Sequence, residues 1–332
     1  MKLLFLGCGY ASRLHSGILR SWSDVELQYA SRDASRAEAL RREFGGARGF
    51  GSYDDALAQR GDVAVVATVP STHLSLTLAA LHSGRHVVVE KPAFMHAGDA
   101  DAVRDAAAAS GRRVFVAENY PYKAVAGHIR RMVTGGDLGD VRLVSINATK
   151  RQDAQGWRAD RSLGGGDPLF EGGVHWLSFA ASLGMEVESV HGFATSGVDT
   201  SLVVLKYANG AVGSLAFSWE LRAPFGGLRL SKVQGTHGAI TFESNGLAML
   251  ATGPRLRVRL PALSDPTGRR AMWRDFLRAL RTGAEAHYTL DMAQRDLRMV
   301  ELCRTQRREP IDDPLRSHPS ADQEQPNSPL TV

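Results

Sequence analysis

The sequence predicts an α/β protein in two units: a doubly wound parallel sheet over residues 1–122, then an α/β unit over 123–308 with an open, mostly antiparallel sheet. Three observations carry this expectation. The first 120 residues alternate short apolar runs with helical patterns, as parallel strands covered on both faces require. Beyond residue 123 the runs lengthen, alternate apolar with polar, and are joined by tight turns such as "YANGA", as in antiparallel pairs. From Pro310 onward the chain is rich in Pro, Ser, Asp and Gln, too poor in apolar residues to fold, so 309–332 is expected to be a disordered tail.

The elements follow in order. Strands are expected at "KLLFL" (2–6), "VELQYA" (25–30), "VAVVAT" (63–68), "HVVVE" (86–90) and "RVFVA" (113–117), with helices near 11–21, 34–44, 72–83 and 96–110. Right-handed crossovers then place any ligand beyond the carboxyl ends of the strands. In the second unit a helix over 123–134 leads through "GGDLGD" to strands at 141–150, 187–195, 200–208, 210–220, 227–236 and 239–244. Further helices are expected at 165–183, 268–282 and 289–307, and there is no internal repeat.

Composition narrows the function. No apolar run is long enough to span a bilayer, and the opening "MKLLFLGCGY" reads as a strand and turn instead of a signal peptide. Only Cys8 and Cys303 are present, which fits a reducing cytoplasm and implies no disulfide framework. The net charge of +5 comes from arginines scattered along helices, as in "SRAEALRREF", without a basic stripe interleaved with aromatics, so nucleic acid is not an expected partner. The eleven histidines show no metal-binding spacing, and there is no G-x-S-x-G nucleophile elbow, so no metal is expected.

Chemistry enters at "GCGYAS". Gly7 supplies a tight turn after the first strand, Gly9 permits close approach of a pyrophosphate, and Tyr10 and Ala11 open the helix whose N–H groups face it. Ser12 stands at the third position, where Gly or Ala is usual. The fingerprint is that of a Rossmann dinucleotide site, and "HVVVEKP" ends a strand at the same edge. Charged Glu90 and Lys91 after three valines are therefore read as part of that crevice.

The glycine loop, "ATVPSTH" (67–73), "AALHSGRHVVVEKP" (79–92), "GDLGDV" (136–141) and "GGGDPLFEGGVH" (164–175) together resemble the glucose–fructose oxidoreductase / inositol dehydrogenase family, Gfo/Idh/MocA, over roughly residues 1 to 305. The resemblance implies an NAD(P)-dependent enzyme moving a hydride between nicotinamide and a secondary alcohol or ketone carbon of a sugar, cyclitol or related polyhydroxy compound. It implies that Lys91 lies near nicotinamide and substrate, with Thr68, Pro70, His73 and Glu90 beside the cofactor. After Gly164, Gly165 and Gly166 it places an acid and a histidine four apart, here Glu171 and His175, the histidine exchanging the hydroxyl proton. The family's acid is usually Asp, so Glu171 is a methylene longer, and Ser178 replaces the acid usual three residues beyond the histidine. Trp157 and Arg158 in "GWRAD" are candidate substrate contacts, with Glu118, Tyr122 and Lys123 in "AENYPYK" weaker ones.

Cofactor choice is read from the end of the second strand, "YASRD". Ser31 occupies the place where NAD-specific sites carry an acid, Arg32 follows, and Arg36 lies one helical turn on, which favours NADP(H). Asp33 keeps NAD(H) open, since a shifted loop would offer its carboxylate to the ribose. Three alternatives remain at this point: a redox-neutral elimination or glycoside cleavage that recycles the cofactor, imine reduction, and a non-catalytic cofactor sensor. The family commonly pairs its second-unit sheets between subunits, which implies a homodimer or homotetramer.

Overall fold

The computed structural model describes residues 1–153, 160, 163, 167–195, 199–223, 227–253, 256–260 and 264–306. Trp157, Arg158, Gly164 to Gly166 and the tail from 309 lie outside those residues.

A parallel sheet of six strands opens the chain, in the order β3-β2-β1-β4-β5-β6. Its strands are β1 (Lys2–Leu6), β2 (Glu26–Ala30), β3 (Arg48–Phe50), β4 (Val63–Val66), β5 (His86–Val89) and β6 (Val114–Val116). Helices α1 (Tyr10–Leu19), α2 (Ala34–Phe44), α3 (Tyr53–Leu57), α4 (His73–His82) and α5 (Asp99–Ser110) make the crossovers. Because strand side chains alternate, Leu3, Phe5, Val63 and Val65 enter one buried cluster while Leu4, Leu6, Ala64 and Val66 enter the other. Both faces are thus apolar, which explains the continuous hydrophobic runs. The order turns back at β1, and the crevice between β1 and β4 is where such sheets bind ligands.

The second unit contains α6 (Ala124–Thr134), β7 (Val141–Thr149), α7 (Val174–Ala181), β8 (Val187–Ala194), β9 (Thr200–Tyr207), β10 (Val212–Ser218), β11 (Leu230–Gly235), β12 (Ala239–Glu243), β13 (Met249–Thr252) and β14 (Arg257–Arg259). Among the described residues eight strands lie in the order β14-β13-β12-β11-β7-β10-β9-β8. All neighbours are antiparallel except β7 and β10, paired parallel from Val212↔Leu143 to Ser218↔Thr149. The long excursion through α7, β8 and β9 permits this pairing, since parallel neighbours need a crossover. One face buries Val144, Ile146, Leu205, Leu215 and Phe242. The other leaves Leu143, Phe193, Leu202, Val212, Leu230 and Leu250 exposed.

Two differences from the expected elements bear on function. The helix expected over 165–183 is described as a π-helical turn, Leu169–Gly173, continuing into α7, so Glu171 and His175 do not share one regular α-helical face. The closing helices α8 (Arg269–Thr282) and α9 (Leu290–Gln306) diverge. α9 packs on β8 and α7, whereas α8 returns to the first sheet and buries Met272, Trp273 and Phe276 in the cluster of Leu3, Phe5, Val65 and Phe115.

Candidate active site

A cleft of about 460 Å³ opens at the carboxyl edge of the first sheet. Gly7, at φ 102, makes the turn out of β1, and a Cβ there would lie 2.6 Å from the Ala67 carbonyl oxygen, so only glycine fits. Ser12 donates from Oγ to the Gly7 carbonyl at 2.6 Å, so the departure at the third position ties helix to loop. Gly9 is different: a Cβ there meets nothing within 4 Å. The protein's own packing does not require glycine at that point, and its bareness leaves room for a ligand. No side chain caps α1 and its first turn carries no acid, so its N–H groups and positive dipole end are available beside Gly9, Tyr10 and Ala11 on the cleft wall. These features fit a dinucleotide pyrophosphate.

At the far end, Ser31, Arg32, Asp33, Arg36 and Tyr53 line the cleft. Asp33 caps α2, accepting from Ser35 N at 2.9 Å and Ser35 Oγ at 2.6 Å, and stands 3.5 Å from Arg36 Nε. The Ser35 hydrogen bonds hold its carboxyl below the usual range. Ser31 Oγ accepts from Asp33 N at 3.2 Å.

The loop after β4 contributes Thr68, Pro70 and Thr72, with Thr72 Oγ1 donating to Thr68 Oγ1 at 2.7 Å. His73 was expected beside the cofactor and is not on the cleft wall. It is 1% exposed, its Nδ1 is 2.9 Å from Pro92 O and its Nε2 3.2 Å from Thr68 O, so it ties the β4 loop to the segment after Lys91. Burial lowers its pKa.

Glu90 and Lys91 both line the cleft, and the Lys91–Pro92 bond is cis. Glu90 Oε1 lies 2.5 Å from His15 Nε2, and its Oε2 accepts from Lys91 N at 3.0 Å. Burial opposes its ionisation, yet the His15 hydrogen bond and the Lys91 and Arg269 charges hold its pKa below the usual glutamate range. Lys91 Nζ donates to the Glu171 carbonyl oxygen at 3.0 Å, joining the first sheet to the π-helical turn. Glu171 also lines the cleft and is 6% exposed.

His175, one turn beyond, stacks on Tyr120 with centroids 4.5 Å apart. Its Nδ1 is 2.8 and 2.7 Å from the two carboxylate oxygens of Glu118, which is 1% exposed and also accepts from Tyr120 N. A carboxylate can only accept, so the ring proton sits on Nδ1 and Nε2 carries the lone pair. Burial lowers the His175 pKa, opposed by Glu118 and reinforced by Lys91, leaving the imidazole neutral at neutral pH. This is a base with its tautomer fixed by a buried acid.

The other expected substrate contacts stand elsewhere. Tyr122 points away, donating from its hydroxyl to Asp275 on α8 at 2.9 Å, because its ring fills the seam against Phe276. Lys123 is 6% exposed, its Nζ 3.8 Å from the Tyr120 ring centre, and burial pushes its pKa down to about 8 against the pull of Glu118 and Glu243. It underlies the His175–Tyr120 stack without lining the cleft.

Residues 1–118 match the oxidoreductase family with an NAD-binding Rossmann fold, and residues 127–241 match the GFO/IDH/MocA C-terminal domain. The chain belongs to the Gfo/Idh/MocA oxidoreductase family. A D-glucoside 3-dehydrogenase of Escherichia coli (strain K12) is 28% identical over 271 residues, 78% of this chain and 72% of that protein. A dTDP-3,4-didehydro-2,6-dideoxy-alpha-D-glucose 3-reductase of Streptomyces violaceoruber is 31% identical over 249 residues, 70% of this chain and 69% of that protein. The fold matches an aldose-aldose oxidoreductase from Caulobacter crescentus with a TM-score of 0.83 at 23% identity, over 93% of this chain and 97% of that one. As a member of this family the chain is a nicotinamide-dependent oxidoreductase with a dinucleotide-binding Rossmann unit.

Sequence reasoning gave Glu118 too small a part and passed over His15, Trp273, Tyr53 and Tyr120. A signal existed for two of them. His15 falls on the buried stripe of α1 with Ser12, Ser16 and Leu19, where a polar ring needs a partner. Glu118 ends the run "VFVAE" as Glu90 ends "VVVE", both at the ligand edge of the sheet.

Proposed function

We propose that the protein oxidises a secondary hydroxyl of a sugar, cyclitol or related polyhydroxy compound to a ketone, or runs the reverse, with Lys91 and His175 as the proton-handling pair. The observation that carries this is the Glu118–His175 hydrogen bond, which leaves the lone pair on His175 Nε2, in a ring near enough to Lys91 to feel its charge although it stands behind the residues that line the cleft. When bound, the nicotinamide supplies or accepts the hydride. In the oxidative direction His175 Nε2 takes the hydroxyl proton, and the Glu118 carboxylate stabilises the imidazolium that forms. The Lys91 ammonium hydrogen-bonds the same substrate oxygen and favours its anionic character. Glu171, held at the mouth by the π-helical turn, orients the substrate. The sugar class rests on the names of the relatives, such as the D-glucoside 3-dehydrogenase.

Gly7, Gly9, Tyr10 and Ala11 take the pyrophosphate, Thr68, Pro70, Glu90 and Lys91 flank the nicotinamide half, and Ser31, Arg32 and Arg36 take the adenosine end. Asp33 is committed to capping α2 while Arg32 stands on the cleft wall, which supports NADP(H) over NAD(H). The exposed apolar face of the second sheet supports a homodimer or homotetramer closed through it, and the cysteine content supports a cytoplasmic location.

The test is incubation with methyl β-D-glucoside, D-xylose and myo-inositol, each with NADP and with NAD, following the reduced-nicotinamide band. Lasting reduction with at least one compound supports the reading. Product without net reduction, or no change with any sugar or cyclitol, overturns it. Paired titrations of wild type and Arg32→Ala decide the cofactor. Equal affinity for both reduced forms in the wild type, or an unchanged preference without Arg32, refutes NADP(H).

A further inference from the structure

Behind Glu90 runs a chain of side chains that the proposed chemistry does not use. Trp273 on α8 donates from Nε1 to His15 Nδ1 at 2.8 Å, and His15 Nε2 meets Glu90 Oε1 at 2.5 Å. Glu90 Oε2 takes the Lys91 amide, and Lys91 Nζ reaches the Glu171 carbonyl. Trp273 and His15 are 0% and 1% exposed.

An indole nitrogen can only donate. His15 Nδ1 must therefore be the acceptor, which leaves its single ring proton on Nε2 and makes Glu90 the acceptor of that proton. Each group's role is fixed by the one before it, and the order begins at a residue 258 positions from His15 in the chain. We propose that His15 and Trp273 are positioning residues of the active site: the indole fixes the His15 tautomer, and His15 clamps the Glu90 carboxylate against the Lys91 amide, setting where the Lys91 ammonium stands. This rests on reading Lys91 as catalytic.

Packing alone does not account for the arrangement. A histidine and a carboxylate in an apolar seam carry desolvation costs that leucine would not, and such groups persist where their hydrogen bonds fix a geometry. The seam also joins distant parts of the chain, since α1 supplies His15, β5 leads to Glu90 and α8 supplies Trp273. Among the described residues, the charged and titratable groups facing Glu90 and Lys91 include His15 from α1, His73 from α4, Arg269 from the start of α8, and Glu171 and His175 from the turn and helix opposite.

Two readouts need neither substrate nor cofactor. In histidine-labelled apo protein, ¹⁵N shifts should place the His15 ring proton on Nε2, with Nδ1 accepting from the indole. Trp273→Phe, which keeps a ring but no donor, should release Nδ1 and let the ring proton distribute between the two nitrogens. Crystals of His15→Leu should show Lys91 Nζ moved by about 1 Å or more from the Glu171 carbonyl, a misplacement large enough to matter in a site. In turnover, with whichever sugar responds above, His15→Leu should lose about 10-fold or more in kcat with little change in reduced-cofactor affinity. His15→Gln, which restores an N–H toward Glu90, should recover most of it. The inference is overturned if the wild-type His15 proton is not on Nε2, if Lys91 keeps its place without His15, or if Gln and Leu at 15 behave alike in folded protein. Lys91→Ala separates the failures. An active Lys91→Ala enzyme refutes the catalytic role of Lys91 itself, whereas a dead one beside a fully active His15→Leu enzyme refutes only the clamp.

Discussion

Replacing Glu118 by glutamine removes one negative charge and almost no volume from beneath His175. The amide oxygen can still accept from Tyr120 N, as Glu118 Oε1 does at 2.9 Å, so the fold has little reason to change. The charge-assisted bond to Nδ1 at 2.7 Å is lost. Hydrogen bonds to charged groups are worth about 1.5–3 kcal/mol, and about 1.4 kcal/mol is tenfold in rate, so this term alone predicts a loss of roughly 10- to 150-fold. A second term follows if the amide turns its NH₂ toward Nδ1, because the ring proton then moves to Nε2, the atom needed as base. The same exchange in a serine-protease triad costs about 10⁴-fold. Glu118→Gln should therefore turn over about 10²- to 10⁴-fold more slowly. Glu118 favours the imidazolium, so without it the His175 pKa falls further and the acid limb of the residual oxidation rate moves to lower pH. Steady-state oxidation across pH, followed at the reduced-nicotinamide band, measures both effects, with a thermal melt as control. A kcat within about threefold of wild type and an unmoved acid limb would refute a base fixed by Glu118.

Three further outcomes are expected. His175→Ala should lower kcat by about 10²- to 10⁴-fold while leaving reduced-cofactor binding, read by fluorescence titration, intact; near-normal turnover would make His175 structural. Gly7→Ala should destabilise by several kcal/mol, about 1–3 from the backbone conformation and as much again from overpacking against Ala67; a melting temperature equal to wild type would contradict the described turn. Stability should fall in mild acid. His73 and His175 have pKa values lowered by burial, so below about pH 6.5 the unfolded chain binds protons that the folded one refuses, costing up to about 1.4 kcal/mol per pH unit for each until the folded values are reached. Glu90, whose pKa is held below the ordinary glutamate range, adds a further loss as pH falls through and below that range. Denaturant midpoints flat between about pH 7.5 and 5.5 would mean that the two histidines protonate in place.

What was legible followed from local causes. The apolar runs of β1, β4 and β5 and the Gly7–Gly9 turn are dictated by neighbours in sequence, and every residue assigned to the cofactor except His73 lines the cleft. His73 sits in a loop at the correct edge, but its ring turns inward to Pro92 O, a carbonyl brought there by tertiary packing. The Glu118–His175 and His15–Trp273 bonds span 57 and 258 residues, and no periodicity encodes such a meeting. β3 and β14 have three residues each, too few to show an alternation. The shift of Glu171 relative to His175 depends on one π-helical turn, where Gly172 and Gly173 lie close against Trp219 and Leu169.

The return of α8 to the first sheet has a consequence for the protein as it is made. When the ribosome has extruded residues 1–122, all six parallel strands exist, but the face carrying Leu3, Phe5, Val65 and Phe115 still lacks Met272, Trp273 and Phe276. About 150 more residues must be translated first, which at about 5–20 residues per second takes roughly 8 to 30 seconds. Through that interval the nascent half presents an apolar face for a chaperone to shield. For the same reason a gene fragment encoding only the dinucleotide-binding half should yield aggregated protein. Grafting that half onto another substrate unit would require carrying α8 along as a separate piece.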